Sequence, residues 1–199
     1  PPAPAPPVPS LSALTMATRE AAAMSSVFQS AYPSTHAIDG RLYSICATNL
    51  GARSWLSVRV PAGTPVGYVA VHNRRDAWGY LLGNFQVWLG TSFGDTGAGA
   101  VMCGEARYDA SLEPAPYVLW CGGVSDRRYV TAIKTTTGYV SLAELEAYTA
   151  SLWRPPPSPL PAPPPVPFST PAPLPPPSPA RLRPDILGQG ASVLEASTG

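Results

Sequence analysis

Proline is nearly missing from the middle of this 199-residue chain, although the chain contains 27 prolines. Six of them lie in residues 1–9 and sixteen in residues 155–184, which leaves five for the long stretch between. Proline fixes φ near about −65° and has no backbone N–H, so neither proline-rich stretch can form regular helix or sheet. Such runs favour the polyproline II helix, which has no internal hydrogen bonds. The chain therefore combines two proline-rich arms with a middle segment that is able to fold.

The chain also lacks a strong charge of either sign. Its formal net charge is +1, and Lys134 is the only lysine. A chain so close to neutral has no large field that would draw it to nucleic acid or to an anionic membrane. No apolar run approaches the roughly 18 residues that a membrane-spanning helix needs. We expect no nucleic-acid partner and no membrane span in this segment. Because it begins with Pro1, we also expect it to be a processed or excised piece of a longer polypeptide.

Cysteine and histidine are scarce, with three and two residues. There is no CxxC pair and no histidine cluster, so a zinc site is not expected. Cys103 and Cys121 bracket a segment shaped like two strands and a connection, where a disulfide would suit a secreted domain. Two buried free thiols are the alternative. Cys46 is then either free or bonded to another chain.

No Ser-His-Asp or Cys-His set occurs at persuasive spacing. The glycine-rich stretch at residues 90–100 lacks the Lys and the Ser or Thr of a phosphate-binding loop. We therefore expect a protein that is not an enzyme.

The middle segment carries the period-two pattern of β-strands. In residues 55–60, Leu56, Val58 and Val60 alternate with less apolar positions, as in a half-buried strand. Further strands are predicted at 67–73, 84–90, 117–123, 128–135 and 139–148. Many short strands separated by Gly, Pro and Asp turns favour a β-sandwich.

Three details of this pattern need the structure. Residues 11–24 could form a short helix or a first strand. Residues 139–148 could be helical on composition. Trp55, Trp88 and Trp120 are predicted to lie in the core.

These patterns divide the chain into four segments. The predicted divisions are a proline-rich arm at 1–10, a β-sandwich at 11–153, a polyproline II rod at 154–184, and a tail or the start of a following segment at 185–199.

Several segments, taken in order, resemble the F-type lectin, or fucolectin, family. HAIDG (36–40) resembles the family's loop before its first cysteine, and CATN (46–49) resembles its Cys-Thr-His-Thr stretch. SWLSVRV (54–60) resembles its Trp-Trp-Arg-Val-Asp-Leu strand. Residues 69–90 resemble its strand, Asn-Arg-x-Asp loop and next strand, and residues 128–148 its closing strands. The resemblance implies an all-β fold, a jelly-roll β-sandwich that is galactose-binding-domain-like and discoidin-like, with calcium and glycan sites in loops at one end.

The family binds fucose with a His, the Arg of an Arg-x-Asp motif and a second basic residue. Arg74 and Asp76 match the motif, whereas the His position here holds Ala47 or Thr48 and the second basic position holds Leu81. Apolar replacements leave sugar hydroxyls unpaired, so recognition of fucose in the usual way is not expected.

The loop after the 67–73 strand remains a candidate sugar platform, because an aromatic face stacks on a pyranose while Arg bonds its hydroxyls. The alternative is that Arg74 and Asp76 simply pair and stiffen the loop. The candidate glycan-binding residues are Asn73, Arg74, Arg75, Asp76 and Trp78.

The same resemblance raises calcium as a cofactor. Asp39 and Glu144 match positions that can hold the ion, although calcium takes six to eight oxygens and only these two side chains match. The alternative makes Asp39 a turn former and Glu144 a surface carboxylate. Cys103 and Cys121 correspond to a disulfide of the family, whereas the usual partner of the cysteine at Cys46 is replaced by Ala143.

The proline-rich segment resembles the hydroxyproline-rich glycoproteins of plant and green-algal walls and surface filaments. Their prolines are hydroxylated and carry short glycans, which implies modification here, with a plain spacer as the alternative. The candidate positions are Pro156, Pro157, Ser158, Pro159, Pro164, Pro165, Pro176, Pro177, Ser178 and Pro179.

Together these features predict an extracellular, non-catalytic structural module of a hydroxyproline-rich glycoprotein, in a cell wall or a surface filament. Its partners would be other extracellular glycoprotein chains, copies of itself, or glycans. Polyproline docks on aromatic grooves, and Trp78, Tyr80 and Trp153 are candidates to hold such a rod. The alternative function is that of a carbohydrate-binding lectin domain with altered specificity.

Intact mass spectrometry of the chain from its natural source tests the arms. We expect ladders of pentose and hexose additions on hydroxylated proline, confined to peptides from the proline-rich stretches. Peptides from the middle segment serve as the internal control. An unmodified mass would reduce the arms to linkers.

Overall fold

The computed structural model describes residues 9–108 and 116–149, and these ranges contain eleven β-strands. The strands are β1 (Thr15–Met16), β2 (Ala21–Met24), β3 (Cys46–Ala47), β4 (Trp55–Arg59), β5 (Val66–His72), β6 (Asn84–Gly90), β7 (Val101–Arg107), β8 (Tyr117–Val124), β9 (Tyr129–Lys134), β10 (Ser141–Leu142) and β11 (Glu144–Thr149). Short 3₁₀ helices occur at Leu11–Ala13, Ser34–Ile38 and Gly79–Leu81. Neither range contains an α-helix.

Two antiparallel sheets form the body of the domain. One has the order β2-β4-β9-β6-β7 and the other the order β1-β11-β5-β8, while β3 and β10 form a separate pair. Strand neighbours are often far apart in sequence, as in the pairing of β4 with β9 and of β5 with β11. The chain thus crosses repeatedly between two sheets, and the predicted all-β jelly-roll sandwich is confirmed.

The core lies between the sheets because period-two alternation points every second side chain inward. A Val, Leu or Phe side chain adds roughly 1.5–3 kcal/mol of hydrophobic stabilisation when fully buried. The inward side chains of β4, β5, β6, β9 and β11 are at most 1% exposed, and they include Leu56, Val58, Val69, Val71, Phe85, Val87, Leu89, Val130, Ala132, Leu145 and Ala147.

The predicted strands at 55–60, 67–73, 84–90, 117–123 and 128–135 are confirmed to within a few residues as β4, β5, β6, β8 and β9. Where the sequence was ambiguous, residues 139–148 contain strands β10 and β11 and no helix.

Two segments differ from simple expectation. Residues 11–24 hold both a short 3₁₀ helix and the strands β1 and β2. Strand β7 was anticipated only as one of two strands between Cys103 and Cys121 and had no predicted range, because it lies at the edge of its sheet and its residues are exposed or only half-buried. An edge strand of this kind has little apolar alternation to reveal it.

The prediction that three tryptophans lie in the core is wrong for Trp55 and Trp88. Both are half-buried and share the outer side of their strands, since their neighbours Leu56 and Leu89 point inward. Trp55 packs against Gly94, where an added Cβ would lie 2.6 Å from the indole. Trp120 is also half-buried and packs on Tyr68 in a small cluster outside the main core, with ring centroids 4.7 Å apart.

Cys103 and Cys121 form a disulfide, so the alternative of two free thiols is wrong. The bond joins β7 to β8, which belong to different sheets, and therefore closes one side of the sandwich. Cys46 is free and 0% exposed, and its Sγ donates to the carbonyl of Leu142 at 3.4 Å. A bond from Cys46 to another chain would require the thiol to leave the core.

The remaining predictions for the arms lie outside the described residues. These comprise most of the arm at 1–10, Trp153, the rod at 154–184 with its candidate modification positions, and the tail at 185–199. Among the residues that are described, no helix has the length and apolarity to cross a membrane.

We expect Cys46 to be unreactive toward thiol reagents in the folded protein. Burial raises the pKa of Cys46 to about 12, so at pH 8 the side chain is a protonated, inaccessible thiol. Titration with a thiol reagent should detect no thiol in native protein and one per chain after denaturation without reductant. Labelling of one thiol in the native state would contradict the fold around β3.

Candidate functional site

The loop between β5 and β6 is held in place by buried polar groups. Asn73 is 3% exposed, and its side-chain amide donates to the carbonyl of Gly79 at 2.8 Å while its Oδ1 accepts the N–H of Arg74 at 2.9 Å. Gly79 is required here, because a Cβ would lie 2.9 Å from the hydroxyl of Tyr108. Lys134, the sole lysine, is buried and its Nζ donates to the carbonyl of Leu82. The loop is therefore pre-organised.

Burial lowers the pKa of Lys134 below its ordinary value. This lysine supports the loop from beneath and adds no positive charge to the surface.

Arg74 connects this loop to β10. Its Nε and Nη2 donate to the two carboxylate oxygens of Asp76, each at 2.6 Å, and its Nη1 donates to the hydroxyl of Ser141 at 2.8 Å. The hydrogen bond from Arg74 holds the pKa of Asp76 below its ordinary value. Three of the five guanidinium N–H donors are thereby used within the described residues. Arg74 both stiffens the loop and keeps donors for a ligand.

A pocket of about 240 Å³ lies beside Arg74. The described residues that line it are Phe28, Tyr32, Ala47, Arg74, Trp78, Leu81, Tyr139 and Ser141. We call it the aromatic pocket.

The floor of the aromatic pocket is built by the short β3–β10 pair. Ala47 and Ser141 are directly opposite in its register. The segment before β3 is tied to the same place, since the N–H of Phe28 donates to the carbonyl of Ala47 at 2.9 Å and the N–H of Ala47 donates to the carbonyl of Tyr32 at 3.3 Å. Chain segments far apart in sequence thus converge on one recess.

The two sugar-contacting positions at which this sequence departs from the F-type lectin pattern both line the pocket. Ala47 and Leu81 lie there together with Arg74, whereas the hydroxyl of Thr48 is buried and accepts the N–H of Val140. The sequence left Ala47 and Thr48 as alternatives, and the structure places Ala47 at the pocket. Two apolar side chains stand where basic groups were expected.

The walls of the pocket are aromatic and partly open to solvent. Phe28 stacks on Tyr32 with centroids 6.2 Å apart and meets Tyr139 edge-on at 6.0 Å. Trp78 also lines the pocket, and its ring lies 6.0 Å from that of Tyr80, which is outside the lining. Phe28, Trp78 and Tyr80 are 45%, 54% and 55% exposed. Exposed aromatic faces that flank a guanidinium are suited to stacking on a ring-shaped ligand.

The predicted glycan residues do not form one cluster. Arg74 and Trp78 line the aromatic pocket, and Asn73 is buried beneath the loop. Arg75 and Asp76 instead line a neighbouring recess of about 320 Å³ together with Tyr43 and other residues of the 41–45 loop. Phe28, Tyr32 and Tyr139 were not predicted, because they lie in irregular segments or at the margin of a strand and no local pattern marks their convergence.

Glu144 is not a surface carboxylate. It is 0% exposed, and its Oε2 accepts Arg19 Nη1 at 2.5 Å while its Oε1 accepts the N–H of Gly40. Burial raises the pKa of Glu144, and the Arg19 guanidinium opposes part of that shift. Asp39 caps its own turn, since its carboxylate accepts from the backbone N–H of Arg41 and the hydroxyl of Ser44.

The carboxylates of Asp39 and Glu144 do not fit the predicted calcium ion. The described residues contain no group of three or more His, Cys, Asp and Glu side chains placed to hold a metal. Both oxygens of Glu144 already have donors, and the positive charge beside them belongs to Arg19. The side chains here fit an internal ion pair.

Removing the Arg19 side chain should therefore destabilise the folded protein. We expect Arg19→Ala to lower the free energy of unfolding by about 3–5 kcal/mol, because it leaves Glu144 buried without its partner. The double variant Arg19→Ala, Glu144→Gln should recover part of this loss, as chemical denaturation would measure. Arg59→Ala, which removes an arginine from a half-exposed ion pair with Glu20, is the matched control and should cost at most about 1 kcal/mol. A rise in the melting temperature of the unmodified chain on adding calcium would contradict this account.

No family model matches this chain, and no curated protein matches it. Similarity is found among solved structures. The lectin domain of Lectinolysin complexed with Lewis B antigen has a TM-score of 0.54 and 27% identity, over 66% of this chain and 93% of that one. A fucolectin from the serum of the striped bass Morone saxatilis has a TM-score of 0.57 and 24% identity, over 66% of this chain and 45% of that one.

A fucose binding module of Streptococcus pneumoniae has a TM-score of 0.53 and 24% identity, over 65% of this chain and 91% of that one. The structures similar to this chain thus include F-type lectin and fucose-binding domains. The galactose-binding-domain-like fold that the sequence resemblance implied is confirmed.

Proposed function

We propose that this chain is a non-catalytic carbohydrate-binding module that takes a neutral sugar in the aromatic pocket. The observation that carries the proposal is the recess of about 240 Å³ in which Arg74 lies between exposed aromatic walls. Two guanidinium N–H groups without partners among the described residues can donate to ring or hydroxyl oxygens. Trp78 offers its face to the apolar side of the sugar.

Specificity at this pocket would differ from that of the fucose-binding proteins. Ala47 and Leu81 supply no hydrogen bonds, so sugar hydroxyls directed toward them would lose their water without gaining a partner. The charge of Arg74 is balanced by Asp76, which leaves little attraction for acidic sugars. The ligand would turn an apolar edge toward Ala47 and Leu81 and direct its oxygens to Arg74 or to solvent.

The similar structures are carbohydrate-binding proteins by their names, which supports the lectin alternative more than a purely structural role. The Cys103–Cys121 disulfide supports an extracellular setting, because such bonds persist in oxidising compartments. A wall or filament module rich in hydroxyproline remains a prediction from the arms alone.

A glycan array probed with the full chain tests the function, with and without calcium. We expect binding to a restricted set of neutral glycans that calcium does not change. Trp78→Ala and Arg74→Ala should each weaken binding about tenfold or more, as expected for central contacts of a small interface.

The neighbouring recess supplies matched controls. Tyr43→Ala and Arg75→Ala remove an exposed aromatic and an arginine that lie outside the aromatic pocket, and both should leave binding unchanged. Melting temperatures show whether each variant is folded. Binding that is lost in Tyr43→Ala and Arg75→Ala but kept in the pocket variants would place the site in the neighbouring recess. An array without hits would overturn the proposed function.

A further inference from the structure

The hydrogen-bonding side chains that line the aromatic pocket can all donate. Arg74 and the indole of Trp78 can only donate, whereas the hydroxyls of Tyr32, Tyr139 and Ser141 can both donate and accept, and Ser141 already accepts from Arg74. The described lining includes no Asp, Glu, Asn or Gln side chain. A ligand with hydrogen-bond acceptors and apolar faces fits such a recess.

Polyproline has this chemistry. Each proline carries a carbonyl acceptor and no N–H donor, and its ring is an apolar face. Aromatic-lined grooves bind extended proline-rich segments by stacking on these rings, and the ordering cost is low because the segment is already extended. Phe28 and Trp78 line the pocket and are about half exposed, so they are accessible to such a segment.

The chain contains such a ligand. Residues 155–184 hold sixteen prolines, and residues 155–179 carry no charged side chain. An uncharged ligand suits a pocket in which the charge of Arg74 is already balanced by Asp76. We infer that the aromatic pocket is also the docking site for residues 155–184 of a second copy of this chain.

The topology of β11 favours a second copy over the pocket's own chain. The start of β11 lies at the pocket end of the sheet, since Glu144 pairs with His72, two residues before Arg74. Its end, Thr149, pairs with Val66 at the opposite end, roughly 17 Å away at about 3.3 Å per residue. The proline-rich stretch begins six residues later. Thr149, the last described residue, thus lies at the end of the sheet away from the pocket, whereas the same segment of a second copy can approach the pocket from solvent.

This contact differs in kind from a symmetric dimer. The pocket and the proline-rich segment are different surfaces, so each copy uses one of each, and a head-to-tail contact generates open chains unless it closes into a ring. Trp78 and Phe28 serve both ligands, so a bound sugar and a bound proline-rich segment exclude each other. This inference does not depend on the proposed function, because it requires no glycan.

Self-association of the full chain is the first measurement. Sedimentation velocity over increasing concentration should show growth that continues beyond a dimer. An excess of synthetic peptide with the sequence of residues 155–179 should reverse this growth, whereas the same peptide with its prolines replaced by serine should not. Growth that the proline-rich peptide leaves unchanged would overturn the inference, as would a chain that stays monomeric at every concentration while failing to bind the peptide.

Calorimetric titration of the peptide into the full chain locates the contact. Trp78→Ala and Phe28→Ala should each weaken peptide binding about tenfold or more. Trp78→Phe should retain most of it, and Tyr43→Ala, an 81% exposed aromatic outside the pocket, should not change it. These side chains are half exposed, so the melting temperature should stay close to that of the unmodified chain. Equal peptide binding by Trp78→Ala would overturn the assignment.

A glycan identified on the array provides the last arm. It should displace the peptide, and simultaneous binding of both would overturn the shared pocket. Peptide binding by a chain that binds no glycan would leave this inference standing and remove only the carbohydrate function. Glycan binding by a chain that binds no peptide would overturn this inference and leave the carbohydrate function standing.

Discussion

One guanidinium group holds together the two parts of the chain that make the aromatic pocket. Arg74 grips Asp76 within its own loop and reaches across to Ser141 on β10, with a side chain only 9% exposed. Because Ser141 is paired with Ala47, the same contact also fixes the segment that carries the pocket's other aromatic wall. The positions of the aromatic rings, and so the shape of any ligand they accept, depend on this arginine.

The local sequence pattern predicted the strands of the fold but not the residues that form the site. Alternating side chains predicted strands such as β4 and β6 because an inward and an outward face is a property of neighbouring residues. The pocket depends on contacts between positions about 100 residues apart, such as Ala47 and Ser141, which no local period records. The family resemblance supplied Arg74 and Asp76 but not the aromatic residues Phe28, Tyr32 and Tyr139. Trp55 and Trp88 were wrongly predicted to lie in the core, because a large apolar side chain can also cover the outer face of a sheet.

Charged side chains of the described domain are repeatedly paired or hydrogen-bonded inside the protein. Arg19 pairs with the buried Glu144, and Asp76 pairs with Arg74. Lys134, the only lysine, donates to the backbone carbonyl of Leu82. Each pair removes a charge that could otherwise have met a metal ion or an acidic ligand. The result is a recess governed by shape, aromatic surface and a few directed donors, which is consistent with the near-neutral charge of the whole sequence.

The register of β1 with β11 has a mechanical consequence. Thr15 is paired with Thr149, so the polypeptide enters and leaves the described domain at adjacent points. Termini that meet in this way allow a domain to be inserted into a longer chain with little disturbance. The pocket lies near the other end of β11, where Glu144 pairs with His72. A ligand in the pocket would therefore be held away from the two adjacent points at which the polypeptide enters and leaves the described domain.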